Sequence, residues 1–438
     1  MLLSHVPGYF KARRDALMKA NSGAAFIFPS AEEANRNPDV GFPFRQESNF
    51  HYLGGFEEPD SALVLVPRGA KPGTHRTILF VRDRNVEKEM WEGERYGLDR
   101  AMSIFGADEA YLIADFATKL PELLRGCEKV FYRIGNAHWD NTVFGALETW
   151  RRSLGRSGKA LPPVADPNEV IGEMRMFKSP EEIKLLRKAC EITALGHKAA
   201  MKEVRPGMNE FEIEALVDYV FRKNGCKRLG YGSIVAGGQN AACLHYRDNN
   251  APLNDKELLL IDAAGEYEYY TSDITRTFPI GKGFTEPQAQ LYDLTLKAQL
   301  AGIAMAKPGA TLPGIHKQVS EVLADGLLSL GLLKGKVDEV ISTGALKRFY
   351  PHNTSHWLGI DVHDVGLYQK NGEPRPLEAG MSFTIEPGLY IQPGDQEIPE
   401  KYRKIGIRIE DDVVITATGC DVLSKDAPKL RADIEALK

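Results

Sequence analysis

Carboxylates that close or interrupt apolar runs are the residues best placed to do chemistry in this chain. Asp262 ends the run Leu258-Leu259-Leu260-Ile261, and Asp273 opens Ile274-Thr275-Arg276-Thr277-Phe278. Glu386 follows Phe383-Thr384-Ile385, and Glu410 follows Ile407-Arg408-Ile409. An ionised carboxylate embedded in apolar sequence is costly unless a cation meets it. Of the ten histidines, His352, His356 and His363 crowd into one stretch, and His245 closes the segment that begins at Ile234. His5, His51, His75, His138, His197 and His316 stand apart and read as surface or satisfied structural histidines. Each acidic residue alone has an ordinary reading as a turn, a strand end or half of an ion pair. One arrangement, a metal site, satisfies the four carboxylates and His356 together.

The elements that must bring these residues together are short strands. Leu258–Ile261 is apolar throughout, as expected of a strand buried on both faces. A turn around Gly265 would pair it with 273–278 in a hairpin. Centring that turn on 265/266 or on 267/268 shifts the register by an even number, so Asp262 and Asp273 share a face either way. In 381–386 Glu386 shares a face with Thr384 before Pro387-Gly388 breaks the strand. In 407–412 Arg408, Glu410 and Asp412 share the face opposite the isoleucines. Helix signals precede the strands. Ser179, Pro180 and Glu182 predict a capped start, with Ile183, Leu186, Ala189, Ile192 and Leu195 as its apolar stripe. Asn209 with Glu212 starts a second helix carrying Phe211, Ile213, Leu216, Val217 and Val220, which ends at Gly225. Thr285 with Gln288 repeats the pattern about 100 residues later, with Lys307-Pro308-Gly309 mirroring Arg205-Pro206-Gly207. The order helix, [Lys/Arg]-Pro-Gly, helix, strands predicts similar halves about a pseudo-two-fold axis, although Pro-Gly helix endings are common enough to produce it without duplication.

The first ~175 residues alternate strand and helix signals. Short apolar runs at 24–28, 62–66 and 77–81 read as buried strands of an α/β domain with no catalytic constellation. Turn formers across 152–168 mark a linker, giving domains at 1–174 and 175–438. Of the 438 residues, 43% are hydrophobic and 26% charged, an ordinary globular composition. Lys and Arg total 55 and Asp and Glu 60, so the net charge is −5. Without a basic excess, binding to nucleic acid or an acidic membrane is not expected. No apolar run is long enough to span a bilayer, and the N-terminal stretch lacks the apolar core of a secretory signal. Five scattered cysteines without a CxxC pair fit reduced thiols in a cytoplasmic protein.

Residues ~175–438 resemble the metallopeptidases of the pita-bread fold, and within them the aminopeptidase P group. The matching stretches are Leu-Ile-Asp262-Ala-Ala-Gly, Ser-Asp273-Ile-Thr-Arg-Thr-Phe-Pro, Ser-His356-Trp-Leu-Gly-Ile-Asp-Val-His363-Asp-Val-Gly, Ile-Glu386-Pro-Gly-Leu-Tyr and Gly-Ile-Arg-Ile-Glu410-Asp. Asn-Phe-His-Tyr-Leu-Gly-Gly-Phe at 49–56 and Glu-Met-Trp91-Glu-Gly carry the resemblance into the first domain. One departure is visible: Asn353 follows His352 where the family usually has glycine. The resemblance implies an α+β catalytic domain and a two-metal site. Asp262 would bind one ion, Asp273 and Glu410 would bridge, and His356 and Glu386 would complete the other. Four carboxylates balance two divalent ions. The oxygen-rich set suits manganese, with cobalt or zinc able to enter, and the resemblance favours Mn²⁺.

The implied reaction is hydrolysis of an N-terminal Xaa-Pro bond by a water that the ions activate. Glu386 would move the water's proton to the leaving nitrogen. By resemblance His245 lies near the developing oxyanion or the leaving nitrogen, His363 bonds the substrate carbonyl, and His352 lines the proline pocket. Arg408 orients ligands and faces the substrate. Trp91 aligns with a family tryptophan that reaches a neighbouring subunit's site, which implies a homo-oligomer, tetramer or dimer. The first domain would help cover the site. The nearest rival is a prolidase, whose dipeptide substrate needs a basic anchor such as Arg375 or Arg408. Methionine aminopeptidase shares the fold but usually lacks the first domain. A metal-free pita-bread protein would have lost ligands that are present here.

Overall fold

The computed structural model describes residues 8–69 and 73–438. His5 and the start of the N-terminal stretch lie outside the described residues. The chain divides into two compact units, Met1–Ile171 and Gly172–Lys438, and the division falls inside the helix Asn168–Met176.

The first unit is built on β1 (Ala24–Pro29), β2 (Ala62–Pro67), β3 (His75–Val81), β4 (Glu109–Leu112), β5 (Lys129–Tyr132) and β6 (Val164–Ala165). They form one mixed sheet in the order β4-β3-β2-β1-β5-β6. The runs expected at 24–28, 62–66 and 77–81 are its central strands, each a residue or two longer than the apolar core. The stretch expected to be a linker is partly structured. Its start completes the helix Ala137–Ser153, and its end supplies β6, which pairs parallel with β5. Ile27, Val64, Phe80 and Val130 pack with Phe116, Trp139, Val143 and Trp150 from the helices over the sheet.

In the second unit, α1 (Pro180–Glu203) and α2 (Glu210–Lys223) both start in the predicted capping boxes, with Ser179 and Asn209 as caps. Three strands follow: β7 (Ile234–Gly237), β8 (Leu258–Asp262) and β9 (Thr275–Pro279), in the order β7-β8-β9. α3 (Glu286–Met305) and α4 (Leu312–Ser329) repeat the helix pair, again with a capping box at Thr285. The second strand set is β10 (Ser382–Ile385), β11 (Gly388–Tyr390), β12 (Gly406–Arg408), β13 (Asp411–Ile415) and β14 (Cys420–Val422). Here β10-β13-β14 make a sheet, and β11 pairs with β12. Two antiparallel three-stranded sheets, each preceded by a helix pair, are the halves that the recurring pattern anticipates.

Three local expectations are corrected. Leu195 and Phe211 were placed on buried stripes, but they are 46% and 54% exposed. The buried face of α1 is instead partly polar, carrying Cys190, Thr193 and His197 beside Leu186, Ala189 and Ile192. Those polar side chains are buried because each has a partner, so hydrophobicity alone misplaces the stripe. Second, 258–262 and 273–278 are not joined by one tight turn. β8 pairs with β9 in the register Asp262↔Thr275, and the chain between makes its own hairpin at 265–271. Third, 407–412 is not one strand. It breaks after Arg408 and re-forms at Asp411, moving from the β11 pair to the β10 sheet.

Candidate metal centre

β8 delivers Asp262 at its carboxyl end. Asp273 precedes β9 by two residues, so parity keeps the two carboxylates on one side as expected. The Tyr231 hydroxyl lies 2.5 Å from both Asp262 Oδ1 and Asp273 Oδ1. One hydroxyl carries one proton, so the tyrosine holds two acidic oxygens against each other. Arg408 Nη2 donates to Asp262 Oδ2 at 2.7 Å. Glu410 occupies the break between β12 and β13. Its Oε2 accepts from Thr275 Oγ1 at 2.6 Å, and Arg408 Nε donates to the same hydroxyl at 3.0 Å.

His356 enters from the opposite half. Its Nε2 is 3.3 Å from Asp273 Oδ2 and 3.5 Å from Glu386 Oε1. Its Nδ1 lies 3.1 Å from the Trp357 carbonyl. A carbonyl only accepts, so Nδ1 carries a proton; without metal Nε2 carries one too, shared with the acids, and a cation that displaces it would meet the Nε2 lone pair. The Nδ1–H ring is the tautomer a metal ligand requires. Ligand atoms of Asp273, His356 and Glu410 all lie within 4.8 Å of one another, close enough for one ion. Asp262 joins them through Tyr231, and Glu386 through His356.

Electrostatics give the fit test for a bound cation. Burial, opposed in part by His356, pushes the Glu386 carboxyl up to about 7. Burial raises Asp262 as well, with Arg408 opposing. Burial and then the neighbouring Asp273 hold Glu410 well above the usual carboxylate range. His356 rises to about 9 because its bond to Asp273 and the charges around it outweigh its burial. Four crowded carboxyls facing one guanidinium and one imidazolium remain short of positive charge, and divalent ions would supply it. The donor set therefore fits a metal centre.

A cavity of about 310 Å³ opens onto the cluster. His245, His352, His363 and Arg408 all line it, together with Asn353, Ser355 and Tyr368. The His352 Nδ1 proton goes to the Asn353 carbonyl at 2.8 Å, so Nε2 accepts from the Tyr390 hydroxyl at 2.9 Å. Burial and Arg408 hold His352 down to about 4, so the ring is neutral. Asn353 is not among the residues with positive φ, so its loop does not require glycine. Trp91 lies in the first unit on the helix Val86–Glu92, 88% exposed. Arg375 is buried and forks onto Glu173.

Several participants escaped the sequence reading. Tyr231 comes from a loop with no periodic signal. Tyr390 closes the quoted Glu386-Pro-Gly-Leu-Tyr stretch but received no role there. Asp412 does not face the site beside Glu410. Its Oδ2 accepts from the Asp273 N–H at 2.9 Å and from the Cys190 thiol at 3.2 Å, a consequence of the strand break.

Comparison with known proteins agrees with this geometry. The model of metallopeptidase family M24 matches residues 184–417, and the aminopeptidase P N-terminal domain matches 10–132. Xaa-Pro aminopeptidase of Escherichia coli is 42% identical over 98% of this chain and 97% of its own length. Xaa-Pro aminopeptidase 3 of Homo sapiens is 36% identical, covering 91% of this chain and 78% of its own. Among solved structures, an aminopeptidase of Pseudomonas aeruginosa superposes with a TM-score of 0.94 at 43% identity, covering 99% of this chain and 98% of its own. A zinc-substituted Escherichia coli aminopeptidase P in complex with product superposes at 0.94 with 42% identity, over 98% and 97% of the two chains. The chain belongs to metallopeptidase family M24 and carries the aminopeptidase P N-terminal domain ahead of its catalytic unit.

Proposed function

We propose that this protein is a metal-dependent aminopeptidase that removes the first residue of a peptide when proline stands second. One observation carries this reading over a dipeptidase. Among the described residues lining the cavity, Arg408 is the only lysine or arginine, and its nitrogens are engaged by Asp262, Thr275 and Tyr390. Arg375, the other candidate anchor, is paired with Glu173. A carboxylate directly after proline would lack a free cationic partner, which is costly in a desolvated pocket.

Asp262, Asp273, His356, Glu386 and Glu410 would hold two divalent ions, and the oxygen-rich set favours Mn²⁺. Ions held there would supply Lewis-acid polarisation of the scissile carbonyl and a nucleophilic water near neutral pH. Glu386 takes the proton of that water on its carboxylate and returns it to the proline nitrogen as the bond breaks. That return matters here because a tertiary amide has no N–H and its nitrogen must be protonated to leave. His245 and His363, both exposed in the cavity, donate to the oxygen that gains charge. His352, fixed in one tautomer by Asn353 and Tyr390, forms a wall against the proline ring. Arg408 aligns Asp262 and reaches Glu410 through Thr275. Among the described residues no helix is long and apolar enough to cross a membrane, and a cytoplasmic homo-oligomer, tetramer or dimer, completes the reading, with Trp91 at a subunit contact.

The test compares kcat/KM for a tripeptide Xaa-Pro-Yaa and the matching dipeptide in Mn²⁺-loaded enzyme. Preference for the tripeptide, lost on chelation and restored by Mn²⁺, is expected. Cleavage of dipeptides alone assigns a prolidase. Full activity after exhaustive chelation removes the metal from the mechanism.

A further inference from the structure

Two of the proposed ligands stand on backbone that no regular strand holds. Asp273 lies between the hairpin at 265–271 and β9, and Glu410 lies in the break between β12 and β13. They come from opposite halves of the catalytic unit, yet as the proposed bridging pair their carboxylates have to meet. Two cross-connections join their main chains. The Glu410 N–H donates to the Thr275 carbonyl at 3.1 Å, and the Asp273 N–H donates to Asp412 Oδ2 at 2.9 Å. A single hydrogen bond between two segments is a pivot. A second, displaced along both segments, stops the rotation.

The acceptor in the second connection is a side chain rather than a carbonyl. The Asp412 carbonyl is taken by the Leu423 N–H at 2.8 Å, and the Asp412 N–H goes to Ser424 Oγ at 3.0 Å. In the β13–β10 pairing Asp412 stands opposite Thr384, and β10 leads directly into Glu386. The base of Asp412 is therefore fixed to the segments that carry Glu410 and Glu386, and its carboxyl reaches across to the segment that carries Asp273. That carboxyl is fully buried. Oδ2 also accepts from the Cys190 thiol at 3.2 Å, and Oδ1 has no partner among the described residues. A buried carboxyl with one oxygen idle, next to another acid, is a costly way to fill space. Its reach to the Asp273 N–H is what an apolar side chain of the same size lacks.

We propose that Asp412 is a positioning residue: by holding the Asp273 N–H it keeps the Asp273 carboxylate in register with Glu410, and so sets the spacing at which two ions share both side chains. The proposal rests on the metal-centre reading and names the contact that makes the centre binuclear. Its effect is unequal on the two ions. Ligand atoms of Asp273, His356 and Glu410 lie within 4.8 Å of one another, so one ion can still gather them if Asp273 shifts. A bridged pair needs both Asp273 oxygens aimed at once. Without the Asp412 contact Asp273 turns about the Thr275 connection, and the second ion bears the loss.

The experiment titrates metal-free protein with Mn²⁺ by calorimetry and follows the same samples by electron paramagnetic resonance, which separates an exchange-coupled ion pair from isolated ions. Wild type should take up two ions and show the coupled pair. Asp412→Ser keeps a small polar group that falls short of Asp273. It should bind the first ion as wild type does, bind the second about 10–100-fold more weakly, and show isolated ions where wild type shows the pair. Asp412→Asn keeps an acceptor oxygen at the same reach and should restore the second ion and the coupled signal, a rescue that a general packing defect does not predict. Where circular dichroism shows the serine variant unfolded, Asp412→Glu carries the test. It keeps the carboxyl but pushes Asp273 back by one methylene, and it should weaken the second ion in the same way. A folded serine variant, or in its place the glutamate variant, with both ions and the coupled signal intact overturns the proposal, as does an asparagine variant as impaired as the serine one. A wild type that takes up fewer than two ions overturns the binuclear reading beneath it instead.

Discussion

Glu386 stands between two jobs, ligand and proton carrier, and its substitutions separate them. Glu386→Gln keeps the shape and one oxygen but removes the base, so turnover should fall by about 10²–10⁴ from lost proton transfer alone. His245→Ala should lose rate while retaining full metal content, because His245 lines the cavity outside the ligand cluster. Metal analysis alongside steady-state kinetics checks both. The same carboxyls make the metal-free protein sensitive to pH. Glu386 sits at about 7 and Asp262 and Glu410 are raised too, above the values an unfolded chain has. In that interval the folded state binds more protons than the unfolded one, so stability is present below the unfolded values and is lost as pH rises through the folded ones. Metal-free protein should therefore melt at lower temperature at pH 8 than at pH 5, and saturating Mn²⁺ should abolish that slope. A flat melting profile without metal would refute it. At this scale the five proposed ligands stand out in the sequence because acids in apolar strands are rare and three histidines crowd one stretch. Tyr231 does not, since a tyrosine in a glycine-rich loop has many ordinary explanations and only the fold brings its hydroxyl to two aspartates.

The strands that carry Asp262 and Asp273 rest on helix α1 through polar contacts. Thr193 Oγ1 lies 2.8 Å from Ser272 Oγ and accepts the Gly265 N–H at 3.0 Å, and His197 Nε2 lies 3.1 Å from the Ala263 carbonyl. Helix starts were legible because a capping box is local, a matter of residues three apart. The helix face was not, because burial of Cys190, Thr193 and His197 depends on acceptors 66 or more residues away in sequence. The strand break at Glu410 escaped for the same reason: the alternation of 407–412 is correct for one strand, and only pairing with two different partners divides it. On the far side of that break, the fully buried Arg276 donates to the Glu410 carbonyl at 2.5 Å and to Asp411 Oδ1 at 2.7 Å. Removing one partner of a buried ion pair costs about 3–5 kcal/mol. Arg276→Leu should lower the free energy of unfolding by about that amount in urea titration. It should also weaken metal binding, since Arg276 fixes the peptide carrying Glu410. Stability within about 0.5 kcal/mol of wild type would contradict this account.

For the molecule as a whole, the helix Val86–Glu92 stands out among the described helices, with no buried residue and with Val86, Met90 and Trp91 exposed by 79%, 80% and 88%. A helix that buries nothing within its own chain gains stability from a surface it meets elsewhere. If the chain assembles as proposed, Met90→Glu should shift the assembly toward the single chain in light scattering, with the isolated fold unperturbed. An unchanged mass would assign the subunit contact to another surface. Arg276 also has a consequence for the order in which the protein is made. Beyond Glu410 and Asp411 it donates to the carbonyls of Ala427 and Pro428, while Lys429 meets Asp411 at 2.5 Å. Synthesis runs from the amino end, so the carboxylate cluster gains these supports only when residues 427–429 leave the ribosome. A nascent chain halted before Ala427 holds every ligand and yet cannot set Glu410. The hydrolase thus becomes competent only once residues 427–429 are in place, and a translation product interrupted before them is born inert.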